Sequence, residues 1–140
     1  MDSLHLHFDI DGSDFTSAGE AASELKRVLR QLGFPPEIIR RCAISMYEGE
    51  INMVIHANGG TVDVYIDSDE IIFELIDSGP GIADVELAMQ EGYSTASQEV
   101  RDLGFGAGMG LPNMKRYTDQ IIVDSIVGVG TAVFMSIKLE

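Results

Sequence analysis

The chain has no tryptophan, a single cysteine and only nine lysines and arginines among its 140 residues. One thiol, Cys42, permits neither an intramolecular disulfide nor a thiolate cluster for zinc or an iron–sulfur centre, which fits a reducing compartment. No apolar run approaches the roughly 18 residues that a spanning helix requires, and Met1-Asp2-Ser3 lacks the basic start of a secretory signal. A cytoplasmic location without a membrane partner is expected. The few basic residues face 23 Asp and Glu, a formal net charge of −14 that repels nucleic acid and anionic bilayers. Nucleic acid is therefore not an expected partner, and a phosphate ligand has to be held by backbone N–H groups and a divalent cation.

What remains is a chain that is 45% hydrophobic and uninterrupted by linker or repeat, read as one domain over 1–140 with core enough to need no staple. Leu4, Leu6, Phe8 and Ile10 alternate with polar residues, as in a half-buried strand. Ser17-Ala18-Gly19-Glu20 has the spacing of a capping box, and Ala21, Leu25, Val28, Leu29 and Leu32 follow at helical spacing until Gly33. A long second helix restarts at Pro35-Pro36 and ends at Asn58-Gly59-Gly60. Strands over 61–67 and 70–76 form one expected hairpin, and strands over 121–126 and 131–139 another. Short helices are expected over 84–90 and 111–118. This order predicts an α/β fold, a two-layer α/β sandwich whose mixed, largely antiparallel sheet is covered on one face by helices.

Three constellations stand out. Glu48, Asn52 and His56 share one face of the second helix, either as a solvated stripe or as a carboxylate base, an amide ligand for Mg²⁺ and a nearby imidazole. Asp77-Ser78-Gly79-Pro80-Gly81-Ile82 follows a strand directly. It is either a tight turn or a carboxylate that accepts a hydrogen bond from the exocyclic amine of adenine, with glycines admitting a flat ligand. The run Leu103-Gly104-Phe105-Gly106-Ala107-Gly108-Met109-Gly110-Leu111-Pro112 is either a mobile linker or a loop that turns successive N–H groups onto phosphate oxygens. No P-loop and no Rossmann fingerprint occurs, because Leu111 follows Gly110 and Met109 stands where the third Rossmann glycine belongs. Asp9, Asp11, Ser13 and Glu20 fall at calcium-loop positions, but Asp14 replaces the turning glycine and a strand pattern precedes it.

In this order the constellations resemble the boxes of the GHKL ATPases. Glu48-x-x-x-Asn52-x-x-x-His56-Ala57 resembles the asparagine box, Asp77-x-Gly79-x-Gly81-Ile82 the adenine box, and Gly106-x-Gly108-x-Gly110-Leu111 the lid glycine box. Gly128-x-Gly130-Thr131 is similar to the last box. The resemblance implies ATP between the helical layer and a lid over about 83–110. Asn52 would ligate Mg²⁺, Asp77 and Thr131 would hold adenine, and Glu48 would be the general base. It further implies roles in nucleotide binding for His56, Gly79, Gly81, Ile82 and Leu111, with Gly106, Gly108 and Gly110 wrapping the phosphates.

Within the family, Gly108-Met109-Gly110-Leu111-Pro112-Asn113-Met114-Lys115-Arg116 looks most like the switch-kinase subgroup of bacterial anti-sigma regulatory kinases. Only about 47 residues precede Glu48, which disfavours a histidine kinase with its phosphoacceptor hairpin. Within residues 1–140 a second domain of the gyrase type is not expected. The implied activity is transfer of phosphate from Mg-ATP to a serine or threonine of a small anti-sigma-antagonist-type protein. The alternatives are an ATP-gated module that sequesters a sigma factor or regulator without phosphoryl transfer, or a stand-alone histidine-kinase-like ATPase domain. Gly106 stands where some anti-sigma kinases place an arginine for the γ-phosphate, leaving Arg101, Lys115 and Arg116 as substitutes. Oligomeric state stays open, with the N-terminal strand and first helix offering a pairing surface for a homodimer.

Overall fold

The alternation at the N-terminus forms a strand, β1 (Leu4–Asp11), and each later pattern forms its own element in turn. The computed structural model describes residues 3–13, 18–89 and 110–139. After β1 come α1 (Glu20–Gln31), α2 (Pro36–His56), β2 (Gly59–Ile66), β3 (Glu70–Asp77) and the short α3 (Val85–Ala88). They are followed by α4 (Gly110–Tyr117), β4 (Gln120–Ile126) and β5 (Gly130–Lys138). The strands make one five-stranded sheet in the order β1-β2-β3-β5-β4, every pairing antiparallel. The expected α/β sandwich is thus formed, with its core between the helices and one sheet face.

The period of two decides which side chains enter that core. Val62, Val64 and Ile66 of β2, Ile71, Phe73 and Leu75 of β3, and Val133, Met135 and Ile137 of β5 are all buried. Leu25 and Leu29 of α1, Cys42 and Met46 of α2, and Met114 of α4 pack against them. Burial pushes the Cys42 thiol up to about 12, so it behaves as a small apolar group. α1 ends in a Schellman motif, Gly33 N donating to Arg30 O and Phe34 N to Leu29 O.

The start of α1 corrects the capping-box expectation. Glu20 is the first helical residue rather than the third position after a serine cap, and Gly19 precedes it without a side-chain cap. The buried carboxylate of Glu50, on α2, accepts the N–H groups of Gly19, Ala21 and Ala22 instead. A carboxylate aimed at three orphan amides outcompetes a local box. Ser17 lies outside the described residues. The calcium-loop spacing is not realised as a loop, because Asp9 and Asp11 are strand residues paired with Thr61 and Gly59.

α2 packs onto β3 over Gly49, where an added Cβ would stand 2.0 Å from Leu75 Cδ2. Leu75 is itself buried, so the leucine has little room to yield. Gly49→Val is expected to cost about 1–3 kcal/mol by overpacking, readable as a lowered denaturant midpoint at unchanged slope.

The other sheet face carries the polar residues of β1 and β2. Asp63 Oδ1 lies 2.7 Å from both His5 Nε2 and His7 Nδ1, His7 Nε2 lies 3.1 Å from Asp9 Oδ1, and His5 stacks on Tyr65. The hydrogen bonds to Asp63 and then Asp9 raise His7 above its ordinary value, while those from His7 and then His5 lower Asp63. A raised histidine stabilises the fold below its unfolded value of 6.5, and that contribution is lost as pH climbs through the raised one. The lowered Asp63 contributes above 3.8 and fades as pH falls through its depressed value. Thermal melts of His7→Asn should therefore trail the parent protein between these limits and converge with it in both alkali and strong acid.

Candidate functional site

α2 carries Glu48, Asn52 and His56 on a single stripe, two helical turns and about 12 Å from end to end. All three side chains are half-buried rather than fully solvated. α4 runs antiparallel beside this stripe and contacts it at three levels. Arg41 Nε donates to Tyr117 O at 3.0 Å, Asn113 Nδ2 donates to Glu48 Oε2 at 2.7 Å, and Gly110 meets Asn52. A Cβ on Gly110 would lie 2.8 Å from both Asn52 Oδ1 and Nδ2, so the start of α4 rests on that amide. Leu111 is buried beneath it.

The C-terminal end of α2 meets the turn after β3. A Cβ on Gly79 would lie 2.7 Å from Ala57 Cα, so only glycine lets this turn approach the helix end. Asp77 Oδ1 accepts Gly79 N at 2.9 Å and Thr131 N at 3.2 Å, and Asp77 and Thr131 are register partners across β3 and β5. Its other oxygen carries no hydrogen bond among the described residues. The turn continues through Gly81 at φ 80, facing the carbonyl of Ile126. Ile82 N then donates to Ser125 Oγ at 2.7 Å, and Ser125 Oγ lies 2.8 Å from Thr131 Oγ1. Burial lowers His56 despite the nearby Asp77 carboxylate, so its imidazole is neutral near pH 7 and offers hydrogen bonds rather than charge.

The structure thus brings together Asp77, Gly79, Gly81, Ile82, Thr131 and His56 at one end of α2, and Glu48, Asn52 and Gly110 further along it. Gly106, Gly108 and Arg101 lie outside the described residues, as does most of the expected lid. Lys115 and Arg116 are exposed in the last turn of α4. Sequence reasoning missed Ser125 and Asn113. Ser125 was within reach, because the hairpin register opposes it to Thr131, whereas nothing local ties Asn113 to Glu48.

A family model described as the histidine kinase-like ATPase domain matches residues 13–137. The chain belongs to that family. An anti-sigma F factor of Thermoanaerobacter sp. (strain X514) is 36% identical over 100 residues, which cover 71% of this chain and 62% of that protein. The chain thus spans about three fifths of the length of that relative. The serine/threonine-protein kinase RsbT of Bacillus subtilis (strain 168) is 32% identical over 120 residues, 81% of this chain and 83% of RsbT. Among solved structures, the RsbU and RsbW domains of Rv1364c from Mycobacterium tuberculosis match with a TM-score of 0.64 at 15% identity. That match covers 96% of this chain and 32% of the other, and it speaks to the fold alone.

No helix among the described residues is long and apolar enough to cross a membrane. Nor does any group of three or more His, Cys, Asp or Glu among them form a metal cage. An Mg²⁺ ion that keeps its waters and phosphate oxygens needs only one or two protein ligands, and the Asn52 amide at the start of α4 fits that demand.

Proposed function

We propose that the chain is an anti-sigma regulatory serine/threonine kinase that binds Mg-ATP and phosphorylates a small antagonist-type protein. The observation that carries this reading is the alignment of two half-sites along α2: the Asp77–Thr131 pair at one end, and Glu48 with Asn52 toward the other. Adenine fits the first, where the second Asp77 oxygen takes its amine. The triphosphate would then extend along α2 toward Asn52, whose amide would hold Mg²⁺ to supply the positive charge that the phosphates demand, and Gly106, Gly108 and Gly110 are the residues that would wrap it. Glu48 takes the proton of the partner's hydroxyl as that oxygen bonds to the γ-phosphorus and the P–O bond to the β-phosphate breaks, leaving ADP. The names of the relatives, an anti-sigma F factor and a serine/threonine kinase, support the regulatory setting.

The test combines the protein with Mg-ATP and an antagonist-domain protein and follows the partner by mass spectrometry. A gain of one phosphoryl group is expected, and Glu48→Ala should slow it by about 100-fold or more while nucleotide affinity holds. A second reading is an ATP-gated binding module without phosphoryl transfer. It is favoured by Gly106, which stands where some anti-sigma kinases place the γ-phosphate arginine. A stable complex with unchanged partner mass would select it.

A further inference from the structure

Asn113 occupies the middle of α4, where asparagine is a poorer helix former than alanine. Its neighbours Leu111, Pro112 and Met114 are buried, yet Asn113 is half-buried with its amide turned across to α2. There Nδ2 donates to Glu48 Oε2 at 2.7 Å, a short charge-assisted hydrogen bond between residues 65 apart in sequence. No other hydrogen bond to Glu48 occurs among the described residues. Oε1 is therefore the oxygen left for a proton, and the amide sets where it points.

The hydrogen bond is braced at both ends of α4. Arg41 donates to the Tyr117 carbonyl and reaches Asp119, Arg40 lies 5.2 Å over the Tyr117 ring, and Gly110 abuts Asn52 at the opposite end. A free glutamate samples several rotamers, whereas a base has to hold one of them within hydrogen-bond reach of its proton. From this we infer that Asn113 is a positioning residue, fixing the Glu48 carboxylate in the orientation that phosphoryl transfer requires. The inference rests on the reading of Glu48 as general base. It adds that α4, whose first residue lies on the Asn52 amide, controls the base as well.

Its test uses the full chain and three measurements. In nucleotide-free protein, the side-chain amide NMR signals of Asn113 should shift toward solvent-like positions on Glu48→Ala; signals that do not move overturn the inference. With a non-hydrolysable ATP analogue and Mg²⁺, Asn113→Ala and Asn113→Asp should bind within about two-fold of the parent, which also certifies that they fold. In single-turnover phosphoryl transfer from Mg-ATP to the hydroxyl of the antagonist-domain protein, both should be about ten-fold slower, a loss confined to the rate constant and absent from affinity. In the Glu48→Gln background, Asn113→Ala should slow the reaction no further, because the amide acts only through the carboxylate.

Additive losses in that double variant overturn the inference, as does parent-like turnover of Asn113→Ala beside a slow Glu48→Gln. If Glu48→Gln alone turns over normally, or the parent does not turn over at all, the base assignment itself falls and the positioning role falls with it.

Discussion

Asp77→Asn is expected to weaken ATP binding about 100-fold and to reverse the preference for adenine over guanine. The substitution keeps the shape of the side chain but makes one terminus a donor. Gly79 N and Thr131 N lie 2.9 and 3.2 Å from Oδ1 and require an acceptor there, so the amide oxygen must stay on their side. The NH₂ group is then forced toward the ligand, where it opposes the exocyclic amine of adenine and suits the oxygen that guanine presents. Losing a charged hydrogen bond accounts for roughly 2–3 kcal/mol, and the imposed donor–donor clash sharpens the discrimination. Calorimetry with Mg-ATP and Mg-GTP on the parent and Asp77→Asn measures both effects. Equal affinity of the two proteins for ATP removes Asp77 from nucleobase recognition.

The features legible in the sequence are those whose cause is local. Alternation marked β1 through Leu4, Leu6, Phe8 and Ile10, and two-residue or four-residue gaps marked the hairpins β2–β3 and β4–β5, because a strand's period and a turn's chemistry are set within a few residues. Pro36 and Gly33 punctuated the helices for the same reason. The stripe Glu48, Asn52 and His56 was readable because residues four apart on a helix share a face, and Asp77-x-Gly79 because its turn follows β3 directly. By contrast, the Glu50 cap on α1 and the Asn113 hydrogen bond to Glu48 join residues roughly 30 and 65 positions apart. No periodicity encodes such pairs. Ser17-x-x-Glu20 misled for a related reason: the local box was intact in sequence, but tertiary packing delivered an acceptor to Gly19, Ala21 and Ala22, and the helix begins at Glu20.

The largest effect on stability is expected at Glu50. The residue is 3% exposed and has no cationic partner among the described residues. Asp9, Asp11 and Glu20 line the same cleft, so the local field is acidic and the three amides of α1 do the work of a counter-charge. Glu50→Ala leaves those N–H groups without an acceptor and opens a void beside Ala21 and Val54. A loss of about 2–4 kcal/mol follows from leaving buried N–H groups without their carboxylate acceptor, on the order of 10 °C in Tm for a domain of this size. Glu50→Gln keeps one carbonyl oxygen but turns its NH₂ against an amide, so it should fall between the alanine variant and the parent.

Nucleotide affinity well below Tm should change by less than about three-fold in both Glu50 variants. Two residues along a helix is a rotation of about 200°, which points Glu50 at α1 while Glu48 and Asn52 face α4. Thermal unfolding beside calorimetry with Mg-ATP separates the two quantities. An unchanged Tm for Glu50→Ala would show that the helix start finds water or another acceptor, and that the buried apolar face of α1 suffices to hold it in place.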